Sequence, residues 1–347
     1  MKRVDFAERH LLNRSIISYL LYPVSLIYAG FLRMRRYLLQ DKAYRAEFTV
    51  ISVGNLTSGG NGKSPIAIAL CKALHKKGIC VAYASRGYKS LLEHGASMVA
   101  DGKNLLFPPQ AAGDEAAMAH EMMPGIPIFS GRKRKEVLQL AKRQLPGLEL
   151  MILDDAMQHL KVARDLDLVV FDTQVGLGNG FVIPAGYLRE SLSAITRRSL
   201  CLLHQKPGAP ENPELEGILA QRGAGLFKVR SSVGRILREG LEIAAAELQG
   251  KNIALVSAIA RPQSFAESAK AKGIKYSKHH IFPDHHAFAD EASIQKLQAE
   301  PAEYLLCSAK DAVKLRPIFA GRLLVLEMRT ELPEAVIQRV VKTIDRH

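Results

Sequence analysis

Apolar positions along this chain fall into short continuous runs that take turns with helical stripes. "FTVISV" (48–53) is a β-rich run, and "SPIAIALCKALHKKG" (64–78) follows at helical spacing, with Pro65 in its first turn and Gly78 as its stop. "ICVAYAS" (79–85), "IPIFS" (126–130), "LELMIL" (148–153), "DLVVFD" (167–172) and "LCLLH" (200–204) read as further strands, with "RKEVLQLAKRQL" (134–145) a helix among them. Strands apolar on both faces, alternating with helices, predict an α/β fold: a parallel sheet covered by helices.

The best break in the pattern is "QKPGAPENPE" (205–214), with three prolines in ten residues. Beyond it "NIALVSA", "PQSFAESAKAKG", "EYLLCS", "AKDAVKL", "RLLVLEM" and a terminal helix predict a second, smaller α/β lobe. The expected organisation is an N-terminal segment over 1–45, a core over 46–204 and the smaller lobe over 205–347. No repeat or low-complexity stretch complicates it.

Residues 15–32, "SIISYLLYPVSLIYAGFL", carry no charge. Eighteen such residues just reach the length of a membrane span. Pro23, three serines and the tyrosines at 19, 22 and 28 favour instead a helix lying in the headgroup region. An interfacial helix, a true span and a buried core helix all stay open at this point, the first being the expectation.

Charge adds to that picture. The formal net charge is +14, and residues 1–45 hold nine Lys and Arg against three Asp and Glu. Such a balance suits an anionic partner: an acidic membrane, a phosphorylated substrate or nucleic acid. The four cysteines form no C-x-x-C pair and read as reduced core residues.

Candidate chemistry begins with "VGNLTSGGNGKSP" (53–65), set between the first strand and its helix. The phosphate-binding formula G-x-x-x-x-G-K-[ST] fails at its first glycine, where Thr57 stands, but the physics holds. Gly59, Gly60 and Gly62 can turn successive N–H groups toward a phosphate chain, Lys63 supplies a point charge, and Ser64 offers a hydroxyl to Mg²⁺. Thr57, Ser58, Gly59, Gly60, Asn61, Gly62, Lys63 and Ser64 are therefore the candidate nucleotide loop. Such a loop needs a metal-ordering carboxylate at a strand end, and Asp154 and Asp155 close the run "LELMILDD". Either could touch the metal directly. The N-K-x-D element of GTPases is missing, its nearest string being "SAKD" at 308–311, and Ser58 replaces the lysine of the dimeric deviant-Walker ATPases.

With these residues in view, the chain resembles the tetraacyldisaccharide 4′-kinases, the lipid A 4′-kinases of Gram-negative bacteria. The resemblance runs through ordered motifs: the glycine loop, "SRGYKS" (85–90), "GDEAAMA" (113–119), "LDDAMQH" (153–159), "RDLDLVVFD" (164–172), "IPAGYLRES" (183–191), "FPDHHAF" (282–288) and "SAKDAVKL" (308–315). Thr57 in place of a glycine is how that family writes its loop. Ala156–Met157 stand where it usually has Gly-Phe, and Tyr187 and Ser191 where it usually has prolines.

The resemblance implies an ATP- and Mg²⁺-dependent lipid kinase at the cytoplasmic face of the inner membrane. Its acceptor is a tetraacyl glucosamine disaccharide 1-phosphate, a glycolipid whose acyl chains stay in the bilayer. It also implies catalytic roles for Asp114 as acceptor of the sugar-hydroxyl proton and for His285 as its partner. Arg189 would stabilise phosphoryl charge and Glu190 would bind metal or substrate, with Arg86 a further phosphate candidate. The histidines at 279, 280, 285 and 286 lack the spacing of a zinc site. No aromatic-studded basic motif points to nucleic acid, and no obligate protein partner is expected. The alternative function is a membrane-tethered P-loop ATPase serving as a switch.

Overall fold

A computed structural model describes residues 10–59, 62–87, 90–259 and 261–346. Gly60 and Asn61 of the expected nucleotide loop lie outside the described residues. Helix α1 (Ile16–Gln40) leads into β1 (Thr49–Gly54), α2 (Lys63–Lys76), β2 (Val81–Ser85) and β3 (Ser97–Asp101). Then come α3 (Pro109–Ala112), α4 (Asp114–Met122), β4 (Pro127–Ser130), α5 (Arg134–Gln144), β5 (Leu150–Asp154), β6 (Leu166–Asp172) and β7 (Ser199–Gln205). The second half adds α6 (Pro213–Ala220), β8 (Leu226–Arg238), β9 (Leu241–Ile243), β10 (Ile253–Ser257), α7 (Pro262–Ala271) and β11 (Lys278–Ile281). It ends with α8 (Glu291–Gln298), β12 (Tyr304–Ser308), α9 (Ala309–Phe319), β13 (Leu323–Glu331) and α10 (Glu334–Ile344).

The strands form one 13-stranded sheet in the order β11-β10-β12-β13-β8-β7-β6-β1-β5-β2-β4-β3, with β9 beside β8. Pairing is parallel except β8 with β9, β8 with β13, and β3 with β4. Residue 205 ends β7, and the sheet continues across it. The first residues of the long β8, from Leu226 to Arg230, pair parallel with β7, and the strand then runs antiparallel to β13.

Central strands are buried along their whole length, which is why they read as unbroken apolar runs. Beneath α2, Ile66, Leu70 and Leu74 pack on Ile51, Ile152 and Leu168, and Val336, Ile337 and Val340 of the last helix join the same core. The end of the chain thus closes the face under its first βα unit. A separate core around Val256, Leu305, Leu315 and Val325 serves the other end of the sheet.

Helix α1 starts on a capping box formed by Ser15 and Ser18. It is long and apolar enough to cross a membrane by length and composition, but only 11% of its most apolar window is buried. Ile16, Leu20, Ile27 and Phe31 stand exposed. A buried core helix, one of the three readings open from sequence, does not describe it.

Candidate active site

Strand β1 lies between β6 and β5, so the loop leaving its carboxyl end opens where chain connections depart in opposite directions. Gly59 and Gly62 take left-handed backbone angles, φ 85° and 80°. Gly62 is the residue preceding α2, and Lys63 and Ser64 open that helix. A side chain at Gly62 would collide with the His204 ring, and one at Gly59 would fall 2.5 Å from the Tyr187 hydroxyl. Both positions need glycine for φ, and Gly62, against the buried His204 ring, needs it for space as well.

Strand β5 is the next neighbour, with Val53 opposite Asp154 in register. This places the two aspartates beside the glycine loop. Asp154 is 3% exposed, and burial pushes its carboxyl above the usual carboxylate range. Hydrogen bonding from Ser64 and Tyr83 and the charge of Lys63 pull the other way. The Tyr83 hydroxyl donates to Oδ2 at 2.8 Å, whereas Oδ1 has no hydrogen-bond partner within the protein. A buried, unpartnered carboxylate oxygen beside a serine hydroxyl at a helix start fits a divalent cation. Among the described residues, no group of three or more His, Cys, Asp or Glu could hold a metal ion.

Asp155 adopts φ 50°, unusual for a non-glycine residue, and its N–H donates to Val53 O at 2.9 Å. That geometry turns its carboxylate to two cations, Lys63 Nζ at 3.5 Å and Arg189 Nη1 at 3.7 Å. Arg134 is buried behind the pair and donates to the carbonyls of Ser85 and, at 2.5 Å, Asp154. It ties the carboxyl ends of β2 and β5 together. Next to it, burial pushes the His159 imidazole down to about 4, aided by the charges of Arg134 and Arg86, so the ring is neutral at neutral pH.

The second half of the chain reaches the site through α9, which packs on α4. Lys314 Nζ donates to Asp114 Oδ2 at 3.0 Å and to His286 O at 2.7 Å. His285, with φ 64°, brings Nδ1 to 3.7 Å from Asp114 Oδ2, and its Nε2 lies 3.1 Å from Lys310 Nζ. An ammonium only donates, so Nε2 accepts and the neutral ring's proton sits on Nδ1, toward Asp114. The remaining histidines of the run serve the fold: His279 bonds Ser257 at 2.8 Å, and His280 bonds the buried Glu300 at 2.6 Å.

Sequence reasoning did not single out Glu115, Tyr83, Arg134, Lys310 or Lys314. Burial raises the Glu115 carboxyl and Asp154 raises it further, while Lys310 and Lys63 lower it, so this residue senses both clusters. "GDE" and "SAKDAVKL" already contained Glu115, Lys310 and Lys314 as charged residues inside recognised strings; Tyr83 and Arg134 gave no such signal. Arg86 lies 3.4 Å from Glu93, and Glu190 meets Arg36 of α1 at 2.5 Å.

The model of the family described as tetraacyldisaccharide-1-P 4′-kinase matches residues 17–345. The chain belongs to that family. It is 36% identical over 304 residues to the tetraacyldisaccharide 4′-kinase of Anaeromyxobacter dehalogenans, covering 84% of this chain and 79% of that protein. To the protein of the same name from Pelobacter propionicus it is 34% identical over 317 residues, covering 89% and 86%. A crystal structure of LpxK from Aquifex aeolicus in complex with ATP matches with a TM-score of 0.79 and 27% identity, over 95% of this chain and all of that one. The P-loop kinase fold expected from sequence is the fold observed.

Tyr83→Phe removes the hydrogen bond that the Tyr83 hydroxyl donates to Asp154 Oδ2. Since that bond lowers the Asp154 pKa, its loss should raise it. The acid limb of kcat/KM should move to higher pH and half-saturation by Mg²⁺ should need more metal. An unchanged limb and unchanged Mg²⁺ requirement would show that Asp154 titration does not govern the site.

Proposed function

We propose that this chain transfers the ATP γ-phosphoryl group to the 4′-hydroxyl of a tetraacyl glucosamine disaccharide 1-phosphate, a step of lipid A biosynthesis. The reading is carried by one observation: Lys63, Ser64 and the Asp154–Asp155 pair converge at the ends of adjacent strands in a chain of this kinase family. The switch-type ATPase is not favoured, because Asp114 and His285 lie together and the neighbouring Glu115 feels the charges of Asp154, Asp155 and Lys63, as an acceptor site beside the phosphates needs.

Lys63 and the amides around Gly59 and Gly62 would hold the phosphates, with α2 presenting its N-terminus to them. Ser64, Asp154 and Asp155 would hold Mg²⁺, which would neutralise charge on the transferring group. Arg189, already turned to Asp155, adds positive charge at the same point. Asp114 accepts the sugar-hydroxyl proton, while Lys314 and His285 fix its orientation.

The substrate is a glycolipid, so the enzyme must work at a membrane surface, in our reading the cytoplasmic face of the inner membrane. Helix α1 contacts the body from Ser18 to Arg36, about 27 Å of helix at 1.5 Å per residue. A helix held along that length to the catalytic body lies in the interface rather than across the bilayer. Its exposed apolar residues and the basic Arg33 and Arg35 suit an anionic lipid surface. Neither nucleic acid nor an obligate protein partner enters this reading.

Labelled ATP and a detergent-dispersed tetraacyl disaccharide 1-phosphate test it directly: label should move to the lipid. Lys63→Ala should lower kcat by ~10²-fold or more without unfolding the protein. A folded Lys63→Ala protein with wild-type kcat would sink the phosphate-loop assignment.

Asp114→Ala should lower kcat by ~10²–10⁴-fold, the usual loss of a general base, while ATP affinity changes little. If ATP affinity falls instead and kcat is kept, Asp114 belongs to the nucleotide site.

Replacing Arg33 and Arg35 by Gln should weaken binding to anionic vesicles by roughly 30-fold, at about 1 kcal/mol per charge, and sodium chloride should mimic the change. Full retention in the vesicle pellet after the double substitution, resistant to alkaline wash, would instead mark α1 as a span.

A further inference from the structure

The loop between β6 and β7 carries Arg189 and Glu190, and it is held from two sides. On one side stands α1. The Asn179 amide donates to Ser18 Oγ at 3.2 Å, and the Ala185 N–H donates to Ser25 Oγ at 2.9 Å. Phe181 packs on Tyr22 with ring centroids 4.7 Å apart. Arg36 Nη2 reaches Glu190 Oε2 at 2.5 Å, and both side chains are largely buried. Ser18, Tyr22, Ser25 and Arg36 are separated by four, three and eleven residues, so they share one face of the helix. The opposite face holds exposed Leu20, Ile27 and Phe31.

On the other side stands the nucleotide loop. Ser58 N–H donates to Tyr187 O at 2.8 Å, Arg189 N–H donates to Leu56 O at 2.6 Å, and Leu188 bridges Thr57 in antiparallel register. The Tyr187 hydroxyl lies against Gly59. This loop is therefore a connector, bonded at one face to the membrane-facing helix and at the other to the phosphate site.

We infer that Arg36 is a positioning residue for phosphoryl transfer: through Glu190 it locks this connector, and with it Arg189, to the membrane-facing helix. The inference rests on the lipid-kinase reading. Arg33, which is exposed, and Arg35, which is half-buried, lack such a pairing among the described residues, so of the three neighbouring arginines it is Arg36 that serves as the internal anchor. An ion pair this shielded is screened little by salt or lipid headgroups. A shift of about 1 Å in a group that meets the reacting atoms can cost ~10²-fold in rate. Freeing Glu190 should therefore reach the chemistry without disturbing ATP itself, which the glycine loop holds.

The full-length wild type, Arg36→Gln and Arg36→Lys proteins are compared in micelles of neutral detergent, where no anionic bilayer is present to attract a helix charge. For Arg36→Gln we expect kcat to fall ~10–100-fold, with KM for ATP and for the lipid acceptor each within about threefold of wild type. Amide hydrogen exchange over residues 181–190 should speed up in the same protein. Arg36→Lys, which keeps the charge, should restore most of kcat and most of the protection. A kcat loss without faster exchange overturns the inference, as does faster exchange without a kcat loss. A rise in acceptor KM at full kcat overturns it too, since Arg36 would then be meeting the lipid. If the wild-type protein moves no label to lipid, the kinase reading fails instead, and the exchange arm still decides whether Arg36 holds the connector.

Discussion

A carboxylate buried at the end of β5 sets the terms for everything around it. Asp154 is almost wholly withdrawn from water, and an isolated charge there would cost several kcal/mol. The surroundings answer that cost from three elements: Tyr83 from β2, Ser64 and Lys63 from the start of α2, and the charge of buried Arg134 from the start of α5. Three elements thus converge on the end of a fourth, so the carboxylate fixes how β2, β5 and two helices meet. One of its oxygens is nevertheless left without a protein partner. Placement that is this constrained, yet incomplete, is what a site for a metal–phosphate complex requires.

Only part of this was legible in the sequence. The glycine loop and the paired aspartates announce themselves because each is a local event: φ above zero needs glycine, and a strand end needs its carboxylate at a fixed offset. Ala156 and Met157, which depart from the family pattern, proved to be fully buried packing positions rather than polar ones. Tyr83 and Arg134 were not legible, since a tyrosine in a strand and an arginine opening a helix are ordinary there. Their role arises from pairing across β2, β5 and α5. Strand β8 was missed for a related reason: much of it is only partly buried, and its charged residues break the apolar runs on which the strand expectations rested.

The same limit applies to the expected break near residue 205. Proline-rich composition marks a surface connection correctly, but it cannot show that a sheet resumes on its far side. Here β8 pairs with β7 and β13, and α10 returns to cover the core beneath α2. The consequence is functional. Lys314 and His285, which surround Asp114, are carried by segments whose sheet is continuous with the strands bearing Lys63 and Asp154.

Helix α1 resolves a conflict that its composition only poses. A helix with so much exposed apolar surface needs lipid, whereas a soluble catalytic body needs water, and a flexible tether would leave the two unregistered. Two buried serines, a tyrosine and an arginine on one face allow an otherwise apolar helix to dock on a polar loop. The opposite face leaves Leu20, Ile27 and Phe31 exposed, as the membrane docking proposed above requires. For an acceptor anchored by four acyl chains, the distance from the membrane plane to the phosphate loop is part of the active-site geometry. The hydrogen bonds running from α1 through residues 179–190 to Leu56 and Ser58 make that distance a property of the fold rather than of a chance encounter.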